Sequence, residues 1–96
     1  MPVYAIAQLT IHDRDRYLRY AARFMPVLGA YNGRLLAADD QPQVLEGDWP
    51  RERVVMVEFP DAASLDRWIS SPEYKALAAE RQAAADAVIL VVHGIG

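Results

Sequence analysis

Runs of apolar, β-branched residues separated by turn-forming residues predict four strands along this 96-residue chain. The first spans Val3 to Ile11, the third spans Arg53 to Phe59, and the last spans Ala87 to Val92. The second is shorter, from Arg34 to Ala38, and is predicted to resume through Val44-Leu45-Glu46 after a polar interruption. Apolar runs of this length, bounded by Gly, Pro and Asp, are typical of strands rather than helices.

A single helical stripe follows the first strand. Asp13 is a suitable N-cap, and the apolar positions after it recur mostly at steps of three or four residues. These positions are Tyr17, Tyr20, Ala21, Phe24, Leu28 and Tyr31. Pro26 lies within the stripe, so the helix is predicted to kink or restart near Met25. Asn32-Gly33 then supplies residues that tolerate a left-handed helix end.

Two helical segments are predicted between the third and last strands. Asp61 can cap a helix that carries Leu65 and Trp68 on one side. Ser71-Pro72 then begins a further short helix, because serine suits the N-cap and proline suits the first turn. The element order is β-α-β-β-α-β, with an extra short helix before the last strand. This order predicts one ferredoxin-like α+β domain over residues 1–96, with helices on one face of an antiparallel sheet.

The other face of this sheet is predicted to be covered by a second copy of the chain. A sheet with one wet face should alternate apolar and polar residues, but the first, third and last strands are apolar on both faces. Because the helices cover only one side, the second face would remain a large apolar patch in a monomer. We therefore expect a homodimer through the helix-free face of the sheet.

Composition narrows the classes of partner and the compartment. The net charge is −3 and the sequence has no long basic run, so nucleic acid is not expected as a partner. No apolar run is long enough to span a bilayer, and the first residues lack the basic start of a signal peptide. The chain has no cysteine, which suits the reducing cytoplasm. We expect a cytoplasmic protein without a membrane partner.

Several short segments, in order along nearly the whole chain, carry a family resemblance. They are Tyr4-Ala5-Ile6-Ala7-Gln8, Tyr31-Asn32-Gly33-Arg34, Val44-Leu45-Glu46-Gly47-Asp48-Trp49, Val57-Glu58-Phe59-Pro60 and Ser71-Pro72-Glu73-Tyr74. With them the chain resembles the bacterial family known as domain of unknown function 1330, within the dimeric α/β-barrel superfamily. The resemblance implies two sheets packed face to face into a barrel, with the helices outside. It implies no reaction, because cousins in the superfamily include cofactor-free monooxygenases, isomerases, haem-using dismutases and ligand-binding regulatory domains.

Glu58 is a charged residue at a position where an apolar one is expected. It lies on the same face of its strand as Val54 and Met56. A carboxyl group in such surroundings can serve as a general acid or base, and His12 is the other candidate proton carrier. The alternative is that Glu58 pairs with Arg34 or Arg53 at the barrel rim and only fixes the dimer.

Aromatic and charged side chains supply the candidate binding residues. Those predicted to contact a small apolar ligand are Tyr20, Tyr31, Arg34, Glu46, Trp49, Arg53, Trp68 and Tyr74. The tyrosines and Trp68 should line a cavity between helices and sheet, with Glu58 or Arg34 as its polar end. Glu46, Trp49 and Arg53, around the hairpin between the second and third strands, form a second group. Core packing of the aromatic residues and a hairpin contact across the dimer are the alternative roles.

The sequence predicts no cofactor and no metal. His12 follows the first strand and His93 ends the last, and these strands are expected to be adjacent and parallel, which would place both histidines at one end of the sheet. A metal would need a further ligand, and the sequence has no cysteine pair or H-x-x-x-H motif. The residues favour a small-molecule-binding homodimer. The alternative is a cofactor-independent enzyme, monooxygenase-like or isomerase-like, acting on a small apolar or aromatic substrate.

Overall fold

Four strands and three helices follow one another in the predicted order in a computed structural model that describes residues 1–95. The strands are β1 (Val3–Ile11), β2 (Arg34–Asp39), β3 (Arg53–Phe59) and β4 (Ala85–His93), and the helices are α1 (Arg14–Ala30), α2 (Ala62–Ser70) and α3 (Pro72–Ala84). The sheet order is β2-β3-β1-β4, and every neighbouring pair is antiparallel. The prediction of a ferredoxin-like α+β fold with an extra helix is confirmed. Within one chain the sheet is open, with β2 and β4 at its edges.

β1 lies between β3 and β4 and runs antiparallel to both, so the expectation that β1 and β4 are parallel is wrong. Val3 pairs with His93 and Ile11 pairs with Ala85. The two-helix crossover returns the chain in the direction of β3, and β4 therefore runs opposite to the strand between them. His12 and His93 consequently lie at opposite ends of the sheet.

α1 continues through Pro26, so the predicted restart near Met25 is wrong. Proline lacks the N–H that would donate to the carbonyl of Ala22. Both residues lie on the exposed side of the helix, where water can satisfy that carbonyl. The predicted left-handed end is confirmed at Asn32, which has a φ of 67°.

β2 ends at Asp39, and the predicted continuation through Val44-Leu45-Glu46 is wrong. The Asp39 carboxylate accepts a hydrogen bond from the backbone N–H of Gln41 at 2.9 Å, which turns the chain away from the sheet. Val44 and Leu45 are exposed in the loop between β2 and β3. The turn chemistry of the polar segment therefore outweighs the short apolar run that follows it.

The hydrophobic core lies between the helices and one face of the sheet. Its largest buried side chains are Val3, Leu9, Val57 and Phe59 from the sheet and Tyr17, Tyr20, Leu28, Leu65, Trp68 and Leu77 from the helices. The caps hold the helices over this face as predicted, because Asp61 accepts from Ser64 N–H at 2.7 Å and Ser71 accepts from Tyr74 N–H at 3.1 Å.

The opposite, helix-free face of the sheet is apolar and open. β4 contributes Val88, Leu90 and Val92 to it, each between 42% and 47% exposed. On the helix side of the same strand, Ile89 and Val91 are also exposed. β4 is thus an edge strand whose apolar side chains are uncovered on both faces of one chain.

Candidate functional site

A cavity of about 200 Å³ lies between the helices and the sheet. Its floor is formed mainly by small apolar side chains of β1 and β3, and its walls by aromatic side chains of the three helices. The aromatic lining residues are Tyr17, Tyr20, Phe24, Trp68 and Tyr74. Met25, Leu35 and Ala38 also line it and are exposed, so the cavity reaches the surface between α1 and β2. The sequence prediction of a cavity in this position agrees with the structure.

The aromatic rings form a connected series around the cavity. On α1, Tyr17, Tyr20 and Phe24 lie along one face with their rings tilted against each other, and their ring centroids are 5.4 and 5.8 Å apart. Phe24 then meets the edge of Trp68 at 6.0 Å, and Trp68 meets Tyr74 at 4.5 Å. The helical spacing of these residues and the Ser71 cap between α2 and α3 place all of them on the side that faces the sheet. Such edge-on arrangements favour a rigid wall.

Arg81 of α3 is the most unusual residue of the lining. It is only 7% exposed, and its Nε has no hydrogen-bond partner among residues 1–95. Its guanidinium lies beside the phenols of Tyr20 and Tyr74. Burial by itself lowers the pKa of Arg81, but the two phenols offset this and the pKa stays above its ordinary value. A full positive charge therefore sits inside a largely apolar cavity.

Trp68 also lines the cavity and, like Arg81, carries a buried donor without an acceptor among the described residues. Its side chain is 5% exposed, and within the described part of the chain its Nε1–H meets no acceptor. A tryptophan N–H can only donate, so it requires an acceptor from another molecule or from water. Trp68 Nε1 and Arg81 Nε, on α2 and α3, are thus two buried donors without an acceptor among the described residues, and both side chains line the cavity.

Tyr20 places a neutral phenol next to that charge. Burial raises the pKa of Tyr20 to about 12, and the nearby Arg81 acts in the opposite direction without cancelling the effect. The phenol is therefore protonated throughout the physiological range. It can donate a hydrogen bond but is a poor general base at neutral pH.

Arg53 lies at the mouth of the cavity and is already paired. Its Nη1 donates to Asp40 at 2.7 Å, its Nε donates to the Tyr17 hydroxyl at 3.1 Å, and its guanidinium lies 5.6 Å from the Tyr17 ring centroid. Because its charge is compensated, Arg53 differs from the deeper Arg81 in what it can offer a ligand.

Of the predicted binding residues, Tyr20, Arg53, Trp68 and Tyr74 line the cavity. Tyr31 lies outside the lining, and its hydroxyl donates to Glu73 at 3.1 Å.

Glu58 and Arg34 lie on the helix-free face, so the expectation that they form the polar end of the cavity is wrong. Arg34 Nη2 donates to Glu58 at 2.9 Å, and Glu58 stands opposite Tyr4 in the β1–β3 pairing. The strand alternation places Glu58 between Val57 and Phe59, which face the helices, so its own side chain must face the other way. The ion pair agrees with the first part of the alternative weighed from the sequence, and its role in fixing a dimer stays a prediction.

The hairpin residues Glu46, Trp49 and Arg53 do not come together. Trp49 Nε1 donates to Gln8 at 2.8 Å on the helix-free side, whereas Arg53 faces the helices and Glu46 is exposed in the loop. His12 is also exposed, and its backbone N–H donates to the carbonyl of Ala84. Glu58 and His12 therefore share no site in one chain.

Across residues 1–95, no group of three or more His, Asp or Glu side chains is arranged to hold a metal ion. Nor does the described part of the chain contain a helix of the length and apolar character needed to cross a membrane.

Sequence reasoning missed Arg81, although a signal was present. Arg81 follows Tyr74 by seven residues and Leu77 by four, so it occupies the buried stripe of α3. An arginine on such a stripe usually extends its stem along the core and its head to water. Here the head stays inside, which no pattern of residue types reveals.

Comparisons with known proteins agree with this architecture. The family model described as "Domain of unknown function (DUF1330)" matches residues 2–95. No curated protein matches the sequence.

Three solved structures illustrate the likeness of the fold. A protein of unknown function from Rhodopseudomonas palustris has a TM-score of 0.82 at 19% identity, covering 99% of this chain and 83% of that one. A dimeric ferredoxin-like protein of unknown function from Jannaschia sp. CCS1 has a TM-score of 0.76 at 15% identity, covering 98% and 100%. SnoaB, a cofactor-independent oxygenase from Streptomyces nogalater, has a TM-score of 0.73 at 14% identity, covering 99% and 94%. At these identities the likeness establishes the fold alone.

Proposed function

Since the chain belongs to the DUF1330 family of domains of unknown function, we propose from its own cavity that it is a homodimeric module that binds a small molecule between helices and sheet. The observation that carries the proposal is the aromatic-walled cavity of about 200 Å³ that reaches the surface beside α1. Apolar cavities with a few convergent polar groups are the usual form of small-molecule sites. This volume is below the roughly 300–1,000 Å³ of sites for drug-sized ligands, which favours a compact ligand.

The two tryptophans of the chain allow a direct test of the binding site. Trp68 lines the cavity, whereas Trp49 is bonded to Gln8 on the other side of the sheet. In NMR titrations with the neutral aromatic compounds benzamide, indole and 1-naphthol, we expect the indole N–H signal of Trp68 to shift while that of Trp49 stays in place. Shifts confined to Trp49, or no shift of Trp68 with any of the three compounds, would contradict the proposal.

The homodimer is proposed to form through the helix-free face, with a second copy of this chain as the occupant. β4 supports this choice, because its side chains remain exposed on both faces of one chain. Stable interfaces bury about 1,200–2,000 Å² in total, and the proposed dimer is expected to bury an area in or above this range. The Jannaschia protein, which is described as dimeric, shares the fold. A dimeric α/β barrel, with two open sheets face to face, would follow from this arrangement.

A cofactor-independent enzyme is the second candidate function. SnoaB, described as a cofactor-independent oxygenase, shares the fold, and the phenols of Tyr20 and Tyr74 beside Arg81 could stabilise a developing oxyanion. The predicted proton carriers Glu58 and His12 lie outside the cavity, which weakens this candidate. Oxygen uptake after addition of anthrone, with anthraquinone and water as products, would favour the enzyme. We expect no uptake above that of a matched protein-free control.

The expected cytoplasmic location remains a prediction. It is supported by the cysteine-free composition, which needs no oxidising compartment for folding.

A further inference from the structure

We propose that the ligand of this cavity is a small organic acid whose carboxylate binds Arg81 and accepts the indole N–H of Trp68, while its apolar body lies against the aromatic walls. This inference rests on the proposed binding function and specifies the chemical class of the ligand.

The first observation is a buried charge without a counter-ion. Arg16, Arg34 and Arg53 each form an ion pair with a carboxylate, yet all three are at least partly exposed to water. Arg81 is the buried one, and within residues 1–95 it forms no ion pair. A buried charge of this kind is costly unless an anion compensates it. An external anion would supply the missing partner.

The second observation is that the polar groups of the cavity are all able to donate. Arg81 and Trp68 line it, their Nε and Nε1 have no acceptor among residues 1–95, and the phenols of Tyr20 and Tyr74 lie next to the guanidinium. None of the lining residues is Asp or Glu. A ligand that fits must therefore offer acceptor oxygens and no positive charge. A carboxylate meets both conditions and can receive two parallel N–H bonds from a guanidinium.

The third observation selects a carboxylate over a phosphate, which the guanidinium fork could also bind. Arg53 is already paired with Asp40, so the guanidinium of Arg81 is left to compensate one negative charge, and the remaining walls are mostly apolar rings and small aliphatic side chains. A second negative charge would remain uncompensated and desolvated there. The size of the cavity then limits the body of the acid to a single ring or a short chain.

Three compounds that share one ring and differ in charge test the inference on the intact protein. Benzoate, benzamide and benzylamine carry one negative, no and one positive charge at neutral pH. By calorimetry and by the NMR shift of Trp68 N–H, we expect benzoate to bind at least tenfold more tightly than benzamide, and benzylamine not to bind. Benzamide binding as tightly as benzoate would overturn the carboxylate inference. Phenyl phosphate binding more tightly than benzoate would also overturn it in favour of a phosphate.

Two substitutions and one control substitution locate the effect. Arg81→Gln should reduce benzoate binding to the level of benzamide, and Arg23→Gln, on the exposed side of α1, should leave the preference unchanged. Trp68→Phe keeps a ring in the wall and removes the N–H, so it should weaken benzoate binding about threefold to tenfold, within the range of one lost hydrogen bond. If Arg81→Gln does not fold, the inference is decided by two other results. These are the ratio of the affinities for benzoate and benzamide in the unaltered protein and the effect of Trp68→Phe on benzoate binding. A preference that survives Arg81→Gln would overturn the inference.

The failures of the two proposals can be told apart. If benzamide shifts Trp68 but benzoate gains no affinity, the cavity binds small molecules and the assignment of an acid is wrong. If neither compound shifts Trp68, while indole and 1-naphthol also leave it unchanged, both proposals are wrong. Benzoate that shifts Trp49 instead of Trp68 would place its site elsewhere and contradict the inference.

Discussion

Arg81 carries a buried charge that affects both the stability of the fold and the proposed binding of an acid. Its buried guanidinium has two phenols as neighbours and no ion-pair partner within the described residues. Sites that await a ligand commonly hold groups that the folded chain alone leaves uncompensated. The stability of variants at this residue can therefore reveal whether the charge is maintained at a cost.

We expect Arg81→Met to raise the free energy of unfolding by about 1 kcal/mol, because methionine keeps much of the apolar stem and removes a buried charge that has no ion-pair partner among the described residues. Urea unfolding measures the change. Leu77→Ala is the control on the same face of α3, and there the loss of a buried side chain should cost about 2–5 kcal/mol. A loss of more than about 1 kcal/mol in Arg81→Met would show that the guanidinium already has adequate partners in the unliganded protein.

Tyr20 should make the protein sensitive to alkali in a defined window. Its pKa rises from 10.0 to about 12 on folding, so the folded state holds a proton that the unfolded state releases first. The stabilisation is complete below pH 10 and is lost as the pH rises from about 10 to about 12. Absorbance titration of the phenol and unfolding curves across this range measure the effect. Tyr20→Phe should reduce the loss of unfolding free energy across this pH range. If that loss is unchanged, groups other than Tyr20 cause it.

At the scale of elements, the joint between α2 and α3 places the wall of the cavity. Ser71 is the only residue between the two helices, and its buried hydroxyl donates to the Trp68 carbonyl at 2.7 Å and accepts from Tyr74 N–H at 3.1 Å. One side chain thus closes α2 and opens α3. The ring centroids of Trp68 and Tyr74 are 4.5 Å apart because this joint holds them together.

Ser71→Ala should lower the free energy of unfolding by about 1–2 kcal/mol, because α3 loses its N-cap and the buried carbonyl of Trp68 loses a donor. Ser70→Ala, at the exposed neighbouring position, should change it by less than about 0.5 kcal/mol. Urea unfolding compares the two variants directly. Equal effects at both positions would contradict the assigned role of the cap.

The sequence was informative where local chemistry decides the structure. Asp61 and Ser71 predicted both helix starts, and the apolar runs predicted β1 and β3. It misled where a local signal competed with its surroundings. Pro26 suggested a restart, but the exposed position of the proline makes the lost hydrogen bond tolerable. The valine–leucine pair after Pro42 suggested a strand, although the turn had already directed the chain away from the sheet.

The sequence predicted the aromatic residues that line the cavity but not the polar residues that determine its chemistry. Helical spacing places Tyr20, Trp68 and Tyr74 over the sheet, as the structure has them. The polar end could not be found in this way, because the face of a strand residue depends on its register and the fate of an arginine head depends on packing. Glu58 looked like a buried acid but faces away from the helices, and Arg81 looked like an amphipathic stem but is enclosed.

At the scale of the whole molecule, the open sheet determines how copies of the chain can associate. Leu90 lies halfway along the edge strand β4, opposite Ile6 on the helix-free face, and is 47% exposed in one chain. A charge inside an apolar interface is far more disruptive than one on a solvated helix. The proposed dimer can therefore be tested with leucines that are similarly exposed in one chain.

Leu90→Arg should convert the dimer to a monomer at micromolar concentration, whereas Leu18→Arg, on the outer side of α1 with 56% exposure, should leave it dimeric. Light scattering coupled to size exclusion measures both masses. A monomeric unaltered protein, or a dimeric Leu90→Arg protein with the same mass as Leu18→Arg, would contradict the proposed interface.

The central position of β1 has a consequence for how the chain is made. β1 is synthesised before the other three strands of its sheet and needs β3 on one side and β4 on the other, and Val3 meets its partner His93 only after 90 further residues have been added. Contacts between such distant residues slow folding, because a long loop must close before they form. On the ribosome, the edge of β1 that pairs with β4 therefore stays unpaired until β4 has left the exit tunnel. We expect ribosome-bound chains that end before residue 85 to be recovered with chaperones in pull-down experiments, and chains that extend past β4 to be recovered without them.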